Sequence, residues 1–275
     1  MSVDTSVQAA LLAAPESGAH RAGRVAWRVL LPAVTLVGIV GLWWLAVIVK
    51  GWPQYLVPTP ADVWHELDAK RHLLPDHTWT TLAEALQGYG LAIAIAVPVA
   101  ILIAYSKFLE ATIYPALVAL NAIPKIAIAP ILVIWMGFGP GPKIAMVVLI
   151  CFFPIVISTA TGLKSTPPEL VELARSLSAS QIQQFVKVRF PAALPYAFVG
   201  LKVAITLAVI GAVVGEFVGA TKGLGYVIIA SGESANTSLA FASIVLLAIM
   251  SIVLFYAIVA LEKLLIPWAE YEKQQ

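Results

Sequence analysis

A polar segment at residues 172–191 places the strongest limit on the folds that this chain can adopt. It carries four charged side chains, although 60% of the whole sequence is hydrophobic and long apolar segments precede and follow it. Charged side chains cost several kcal/mol each inside hydrocarbon, so this segment cannot lie within a bilayer. The chain is therefore predicted to be an all-α integral membrane protein in which about residues 164–195 form a structured loop outside the membrane.

The loop has the sequence of two short helices. The first is expected to use Ser165 or Thr166 as its N-terminal cap, since Pro167, Pro168 and Glu169 are favourable in a first helical turn. Apolar residues at positions i, i+3, i+4 and i+7 then predict one apolar stripe, formed by Leu170, Leu173, Ala174 and Leu177.

The second helix is expected to start at a capping box formed by Ser178 and Gln181 and to end at Pro191. A helix pair that presents an apolar stripe at a membrane surface requires a groove on a partner protein. The alternative is an ordinary amphipathic loop without a partner.

The apolar segments are long enough for six membrane spans. The mean hydropathy of +0.91 and the 12% content of charged residues are typical of integral membrane proteins. A hydrocarbon core of about 30 Å needs roughly 20 apolar residues per helix. Six segments satisfy this length, at about 27–49, 79–104, 112–136, 143–163, 196–220 and 238–261. Three prolines are expected to break the third span, namely Pro115, Pro124 and Pro130.

The distribution of basic residues predicts that both termini are cytoplasmic. If the N-terminus is cytoplasmic, ten Lys and Arg residues lie on the cytoplasmic side: Arg21, Arg24, Arg28, Lys107, Lys164, Arg175, Lys187, Arg189, Lys263 and Lys273. Five lie outside, namely Lys50, Lys70, Arg71, Lys143 and Lys222. This bias follows the positive-inside rule. The expected organisation is a cytoplasmic tail at 1–26 without a signal peptide, a transmembrane domain at 27–265 and a cytoplasmic tail at 266–275.

The spacing within the polar segment carries a family resemblance. It resembles the EAA loop of bacterial ATP-binding-cassette (ABC) import permeases, whose pattern is Glu-Ala-Ala, three residues, Gly, nine residues, Ile-x-Leu-Pro. Glu172 and Ala174 match this pattern, Leu173 replaces the middle alanine, Ser178 replaces the glycine, and the segment 188–191 matches the end conservatively. Glycine reaches a positive φ at low cost, so the serine is the main departure.

Three further stretches resemble the nitrate/sulfonate/taurine group of these permeases. They are residues 56–64, 123–137 and 215–217. The first begins an expected external helix with Thr59 as its cap, which either lies on the membrane interface or helps to seat a binding protein.

The resemblance implies a type I ABC importer permease with six transmembrane helices and a cytoplasmic coupling helix pair, in the bacterial inner membrane. The implied partners are ABC ATPase subunits, a second permease chain (most simply an identical copy) and a periplasmic or lipid-anchored solute-binding protein. The implied ATPase-coupling residues are Glu172, Ala174, Arg175, Leu177, Ser178 and Pro191. The solute is expected to be a small anionic or polar organic compound; the group also includes permeases for pyrimidine precursors and other small ring compounds, which is the alternative.

Other classes of function find little support in the sequence. Segments 162–166 and 141–143 lack the Gly-Lys-Ser/Thr core of a phosphate-binding loop, so ATP is expected only on the partner, with no cofactor on this chain. Four histidines have no metal-ligand spacing, and no nucleophile with a base lies within the spans, which disfavours an intramembrane enzyme. A net charge of +2 does not indicate nucleic-acid binding. A stand-alone channel or carrier would leave the EAA-like loop without a role.

Two ionisable residues inside the expected spans, Lys125 and Glu216, are predicted to face the translocation pathway. Asn121, one helical turn from Lys125, would add a hydrogen-bonding group. The alternative is a local structural role for both. Their depths differ by roughly 10 Å at about 1.5 Å per residue, which argues against a direct ion pair. Gly211, Gly215 and Gly219 recur every four residues and predict a helix-packing face rather than a solute contact.

Overall fold

The computed structural model describes residues 18–268, and these residues form helices and short connections without a β-strand. This confirms the expected all-α class. The α-helices are α1 (Gly18–Lys50), α2 (Pro60–Ala69), α3 (Leu74–Tyr105), α4 (Lys107–Asn121), α5 (Ala129–Met136), α6 (Pro140–Lys164), α7 (Pro168–Ser176), α8 (Gln181–Gln184), α9 (Phe190–Glu216), α10 (Leu224–Glu233) and α11 (Thr237–Leu265). A 3₁₀ helix (Lys125–Ile128) precedes α5, and a π-helix (Phe185–Arg189) joins α8 to α9.

The chain divides into two compact units, at residues up to 62 and from 63 onward. In the first unit, α1 begins at Gly18, nine residues before the expected start of the first span, and Gly51 follows it at φ +63°. Before α2, the amide of Thr59 donates to Asp62 Oδ2 over 2.8 Å, and the amide of Asp62 donates to Thr59 Oγ1 over 3.2 Å. This reciprocal pair confirms the expected Thr59 cap. The expected tails fall largely outside the described residues, at 1–17 and 269–275.

In the second unit, α6 packs between α3 and α9. The face of α3 in the core consists of small residues, and Ala85, Ala92, Ala96 and Ala100 are fully buried. Small side chains allow transmembrane helices to approach closely, because lipid-soluble helices gain stability mainly from packing. The last helix, α11, is tied to α9 by an ion pair of 2.8 Å between Lys202 Nζ and Glu262 Oε2.

Four helical segments of the described chain are long and apolar enough to cross a bilayer: α3, α6, the continuous stretch Gln181–Glu216 and α11. A fifth span is formed if α4 and the segment Lys125–Met136, which meet at an angle of 83°, count as one. The expected first span falls in α1, where the described apolar part, Val34–Lys50, is shorter. The number of six spans therefore stays a prediction.

The break in the third span is confirmed and lies at Pro124. This residue stands immediately before the 3₁₀ helix with an extended backbone, at φ −63° and ψ 97°. Pro115 lies inside α4, and Pro130 occupies the first turn of α5, where a missing amide hydrogen costs nothing. Only one of the three prolines therefore interrupts the helix.

Three details of the loop prediction are wrong. Pro167, rather than Ser165 or Thr166, precedes α7, and no side chain caps the helix; the hydroxyl group of Ser165 donates to the carbonyl group of Gly162 over 2.9 Å. The capping box lies at Ser180 and Gln183, two residues after the expected position.

Pro191 does not end the second helix, which is the third correction. It occupies the first turn of α9, where proline is tolerated because the amide it lacks has no helical partner there. The π-helix before it lets α8 run into α9, so that Gln181–Glu216 is one continuous helical stretch of 36 residues.

Candidate functional site

The apolar stripe of α7 is exposed. Leu170, Leu173 and Leu177 have exposed fractions of 47%, 57% and 73%, and Ala174 is half-buried. Val171, which lies outside the stripe, is 8% exposed and packs against the rest of the chain. Within the described part of the chain, nothing covers the stripe, which therefore offers a surface of three leucines to a partner.

The charged residues beside the stripe also point to solvent. Glu172 and Arg175 are both exposed, on the same short helix. An exposed apolar stripe on the same short helix as one acidic and one basic exposed group has the composition of an interface core with polar surroundings.

The turn after α7 has the conformation that glycine would favour. Ser178 adopts a φ of +56°, in the left-handed region, and its amide donates to the carbonyl group of Arg175 over 2.9 Å. The serine thus takes over the backbone conformation of the missing glycine, while the helix cap is provided by Ser180. The tight turn between α7 and α8 is preserved despite the substitution.

Aromatic contacts attach the second half of the loop to the end of α3. The rings of Tyr105 and Phe185 meet edge-to-face at 5.6 Å, and Phe190 packs against Phe185 at 5.9 Å. The guanidinium group of Arg189 lies 5.4 Å from the centre of the Tyr105 ring. The loop therefore contacts α3 directly and is continuous with α9 through the helix that includes Pro191.

The structure brings Asn121 and Lys125 together at the break in the bent span. Lys125 Nζ donates to Asn121 Oδ1 over 2.5 Å and to the Asn121 carbonyl group over 3.3 Å, in an exposed position. The interrupted helix leaves an amide and an ammonium group at the surface of the chain. Irregular backbone within a membrane normally faces protein or a water-filled cavity.

Glu216 does not lie near Lys125 and Asn121; it is buried at the end of α9. It is 2% exposed, and its Oε1 atom accepts a hydrogen bond of 2.6 Å from the hydroxyl group of Thr81. Its Oε2 atom accepts a hydrogen bond of 2.6 Å from the amide of Gly225. Both carboxylate oxygens are thus occupied by protein groups, and the assignment of Glu216 to the pathway stays a prediction.

A buried ion pair lies next to Glu216. Lys143 Nζ is 2.6 Å from Glu84 Oε1, with side-chain exposed fractions of 10% and 7%. Among the described residues, Glu84 Oε2 has no hydrogen-bond partner. Two carboxylates and one ammonium group are therefore buried together, and each depends on its partners for compensation of the lost hydration.

The turn between α9 and α10 completes this polar cluster, which we define as His77, Thr81, Glu84, Lys143 and Glu216. The amide of Leu224 donates to Thr81 Oγ1 over 2.8 Å, and the amide of Gly223 donates to His77 Nδ1 over 3.1 Å. The cluster binds the ends of three spans, α3, α6 and α9, to one turn. Four of its members were not predicted from the sequence, although Glu84 lies within an expected span and was detectable there as an intramembrane charge.

The glycines of the fifth span fall into two groups. A Cβ atom on Gly211 would lie 2.9 Å from Val147 Cα, and one on Gly215 would lie 2.7 Å from Lys143 Cα, so both positions admit a close approach of α6. Gly219 lies beyond the end of α9 at φ +75°, where a Cβ atom would collide with the ring of Phe138. It does not share the helical face, because α9 ends at Glu216.

The described residues contain no group of three or more His, Cys, Asp or Glu side chains placed to hold a metal ion.

A model of the family "binding-protein-dependent transport system inner membrane component" matches residues 96–271, more than half of the chain. The chain belongs to this family. It is the permease subunit of an ABC importer, a multi-pass inner-membrane protein that is not itself the ATPase and has no intrinsic cofactor.

Individual relatives agree with this assignment. The permease is 39% identical over 230 residues to a probable ABC transporter permease protein of Haemophilus influenzae, covering 83% of this chain and 94% of that protein. It is 36% identical to the formylaminopyrimidine transport permease protein of Halalkalibacterium halodurans over 88% of this chain and 97% of that protein. It is 30% identical to the taurine transport system permease protein of Escherichia coli over 89% and 94%, respectively.

A solved structure supports the fold. An inward-facing structure of the MetNI methionine ABC transporter aligns with a TM-score of 0.63 and 23% identity, covering 70% of this chain and 96% of that chain. The expected fold of a type I importer permease is thereby confirmed.

Proposed function

We propose that the permease couples ATP hydrolysis on separate ATPase subunits to solute passage through residues 164–195. The observation that carries this proposal is the exposed stripe on α7. Its three large apolar side chains, Leu170, Leu173 and Leu177, are all exposed. A groove on an ATPase subunit would remove this surface from water, and Glu172 and Arg175 would pair at its rim.

The tight turn at Ser178 and the continuous helix from Gln181 to Glu216 support a mechanical role for this loop. When the ATPase subunits close, a rigid turn moves as one body, and the helix that contains Pro191 carries the movement into the membrane. Coupling requires an element that can adopt two arrangements. Both the ATPase side and the solute side must be able to shift the balance between these arrangements.

In the proposed assembly, this permease and a second copy enclose the pathway, two ATPase subunits bind in the cytoplasm, and an external binding protein delivers the solute. The excess of basic residues supports cytoplasmic termini. Cross-linking between copies through a single introduced cysteine, in a variant that lacks Cys151, would test the homodimer; a mixed pair with another permease chain would give no cross-linked homodimer.

The solute is proposed to be a small polar organic compound that meets Lys125 and Asn121 at the broken span. An ammonium group beside an amide suits an anionic solute such as a sulfonate, but it also donates hydrogen bonds to a heterocycle. The higher identity to the formylaminopyrimidine relative, 36% against 30% for the taurine relative, favours the ring compound. Competition of formylaminopyrimidine and taurine against uptake in the reconstituted importer would separate the two candidates.

The docking proposal is tested by Ala174→Asp. This variant puts a charge on the stripe, and we expect it to lose ATPase subunits on co-purification while it inserts normally, since an unpaired charge in a desolvated interface is strongly unfavourable. Ser176→Asp is the matched control, because Ser176 is exposed and lies about 160° around the same helix from Ala174, at about 100° per residue. Full solute-stimulated ATP hydrolysis by the Ala174→Asp complex would contradict the docking assignment.

A further inference from the structure

A polar cavity of about 330 Å³ lies between the end of α3 and the coupling loop. It is lined by Ala104, Tyr105, Arg175, Gln181, Gln184 and Arg189. Two of these residues are arginines, and none is acidic. The cavity is therefore positively charged.

The two arginines have no carboxylate partner among the described residues. The ion pairs of the described chain involve other cations, and the close contact of Arg189 is with the ring of Tyr105, at 5.4 Å. The amide nitrogen of Gln184 donates to the carbonyl group of Ala179 over 2.9 Å, which holds that side chain at the wall of the cavity. Guanidinium groups bind phosphate oxygens through two parallel hydrogen bonds, so the cavity suits a phosphate group.

An apolar groove of about 240 Å³ adjoins this cavity. It is lined by Ile101, Tyr105, Gln181, Ile182 and Phe185, so that Tyr105 and Gln181 border both spaces. Ile101 and Tyr105 belong to the last turns of α3, which spans the membrane, and Ile182 is 75% exposed. A charged space and an apolar groove thus meet where a transmembrane helix reaches the membrane surface.

We propose that this composite site binds an anionic phospholipid of the cytoplasmic leaflet, with its phosphate group between Arg175 and Arg189 and an acyl chain along Ile101 and Ile182. Basic pockets at the cytoplasmic ends of transmembrane helices are suited to anionic headgroups. A carboxylate of an ATPase subunit or free phosphate would satisfy the arginines, but neither would fill the apolar groove. The site shares Arg175 with the proposed docking surface but goes beyond it, because Arg189 and the apolar groove belong to the lipid site alone.

The test is native mass spectrometry of the solubilised permease–ATPase complex during titration with palmitoyl-oleoyl-phosphatidylglycerol, the matching phosphatidylcholine, and glycerol phosphate. We expect the phosphatidylglycerol to bind about tenfold more tightly than the phosphatidylcholine, and Arg189→Gln to remove this preference, since a hydrogen-bonded charge contributes about a factor of ten. Lys187→Gln is the matched control: it removes a positive charge from the same loop but does not line the cavity. The control should keep the preference.

A second variant tests the groove. Ile182→Ser should weaken binding of phosphatidylglycerol and leave that of glycerol phosphate unchanged, even if Arg189→Gln fails to assemble. Three results would each overturn the proposal: equal affinity for both lipids, an equal loss in Lys187→Gln and Arg189→Gln, or glycerol phosphate binding as tightly as the lipid. A lipid that binds the full-length permease alone but not the complex would also overturn it, since an ATPase carboxylate would then occupy the cavity.

Discussion

The hydroxyl group of Thr81 donates a hydrogen bond of 2.6 Å to Glu216 Oε1, and so connects α3 to the end of α9 across 135 residues of sequence. The same hydroxyl oxygen accepts the amide of Leu224 at 2.8 Å. One side chain therefore satisfies a buried carboxylate and a buried amide at once. The polar cluster ties this end of the helix bundle together, whereas the helix pair α7–α8 presents exposed apolar surface.

Replacement of Thr81 by valine should destabilise the permease by about 1–3 kcal/mol, because a carboxylate oxygen and an amide lose their partner in a buried place. Valine has nearly the same shape, so packing is retained. Thermal unfolding of the purified protein in detergent measures the effect. Thr81→Ser keeps the hydroxyl group and should unfold close to the wild-type temperature; equal losses in both variants would show that the hydrogen bonds are not the cause.

Replacement of Lys143 by methionine should cost about 3–5 kcal/mol, since it leaves Glu84 buried without its counter-charge. The double variant Glu84→Gln, Lys143→Met should recover most of the loss, because neither charge is then unpaired. Thermal unfolding again measures both. Lys222→Met is the control: it breaks the exposed pair with Asp76, where both side chains are 61% exposed, and should leave the unfolding temperature unchanged.

Replacement of Gly225 by alanine should destabilise the turn before α10. A Cβ atom there would lie 2.8 Å from Glu216 Oε2 and 2.9 Å from the carbonyl oxygen of Val213, so the carboxylate must move away from its amide partner. Gly232→Ala is the matched control in the same helix, because a Cβ atom at that position meets nothing within 4 Å. Protease sensitivity of the turn should rise in the first variant only; an equal rise in both would contradict the steric argument.

Replacement of Lys125 by methionine should abolish solute uptake and leave assembly and basal ATP hydrolysis intact. Uptake should fail because the ammonium group proposed to meet the solute is lost. Assembly should be retained because Lys125 contacts Asn121 on the exposed side of the broken span and takes no part in the core. Uptake by the reconstituted importer and its ATPase rate are the two measurements. Wild-type uptake would remove Lys125 from the pathway, and failure to assemble would favour the local structural role.

The sequence by itself determined the class of this protein. Hydropathy and charge exclude a soluble fold, because apolar segments of this length must be buried in lipid or protein and a charged segment must stay outside. The spacing from Glu172 to Pro191 was sufficient to recognise the permease family, since a local helix–turn–helix depends on residues close in sequence. Pro124 was expected to disrupt its span for the same reason: the missing amide acts locally.

Only the tertiary structure decided where the isolated charges lie. Glu84, Lys143 and Glu216 come from three different helices, and no local pattern reveals that they meet. Two serines also differ from the expected roles: Ser178 adopts the left-handed turn, and Ser180 rather than Ser178 caps the second helix. Burial of a charge depends on compensation by groups distant in sequence, whereas a membrane span depends on the summed hydropathy of one segment.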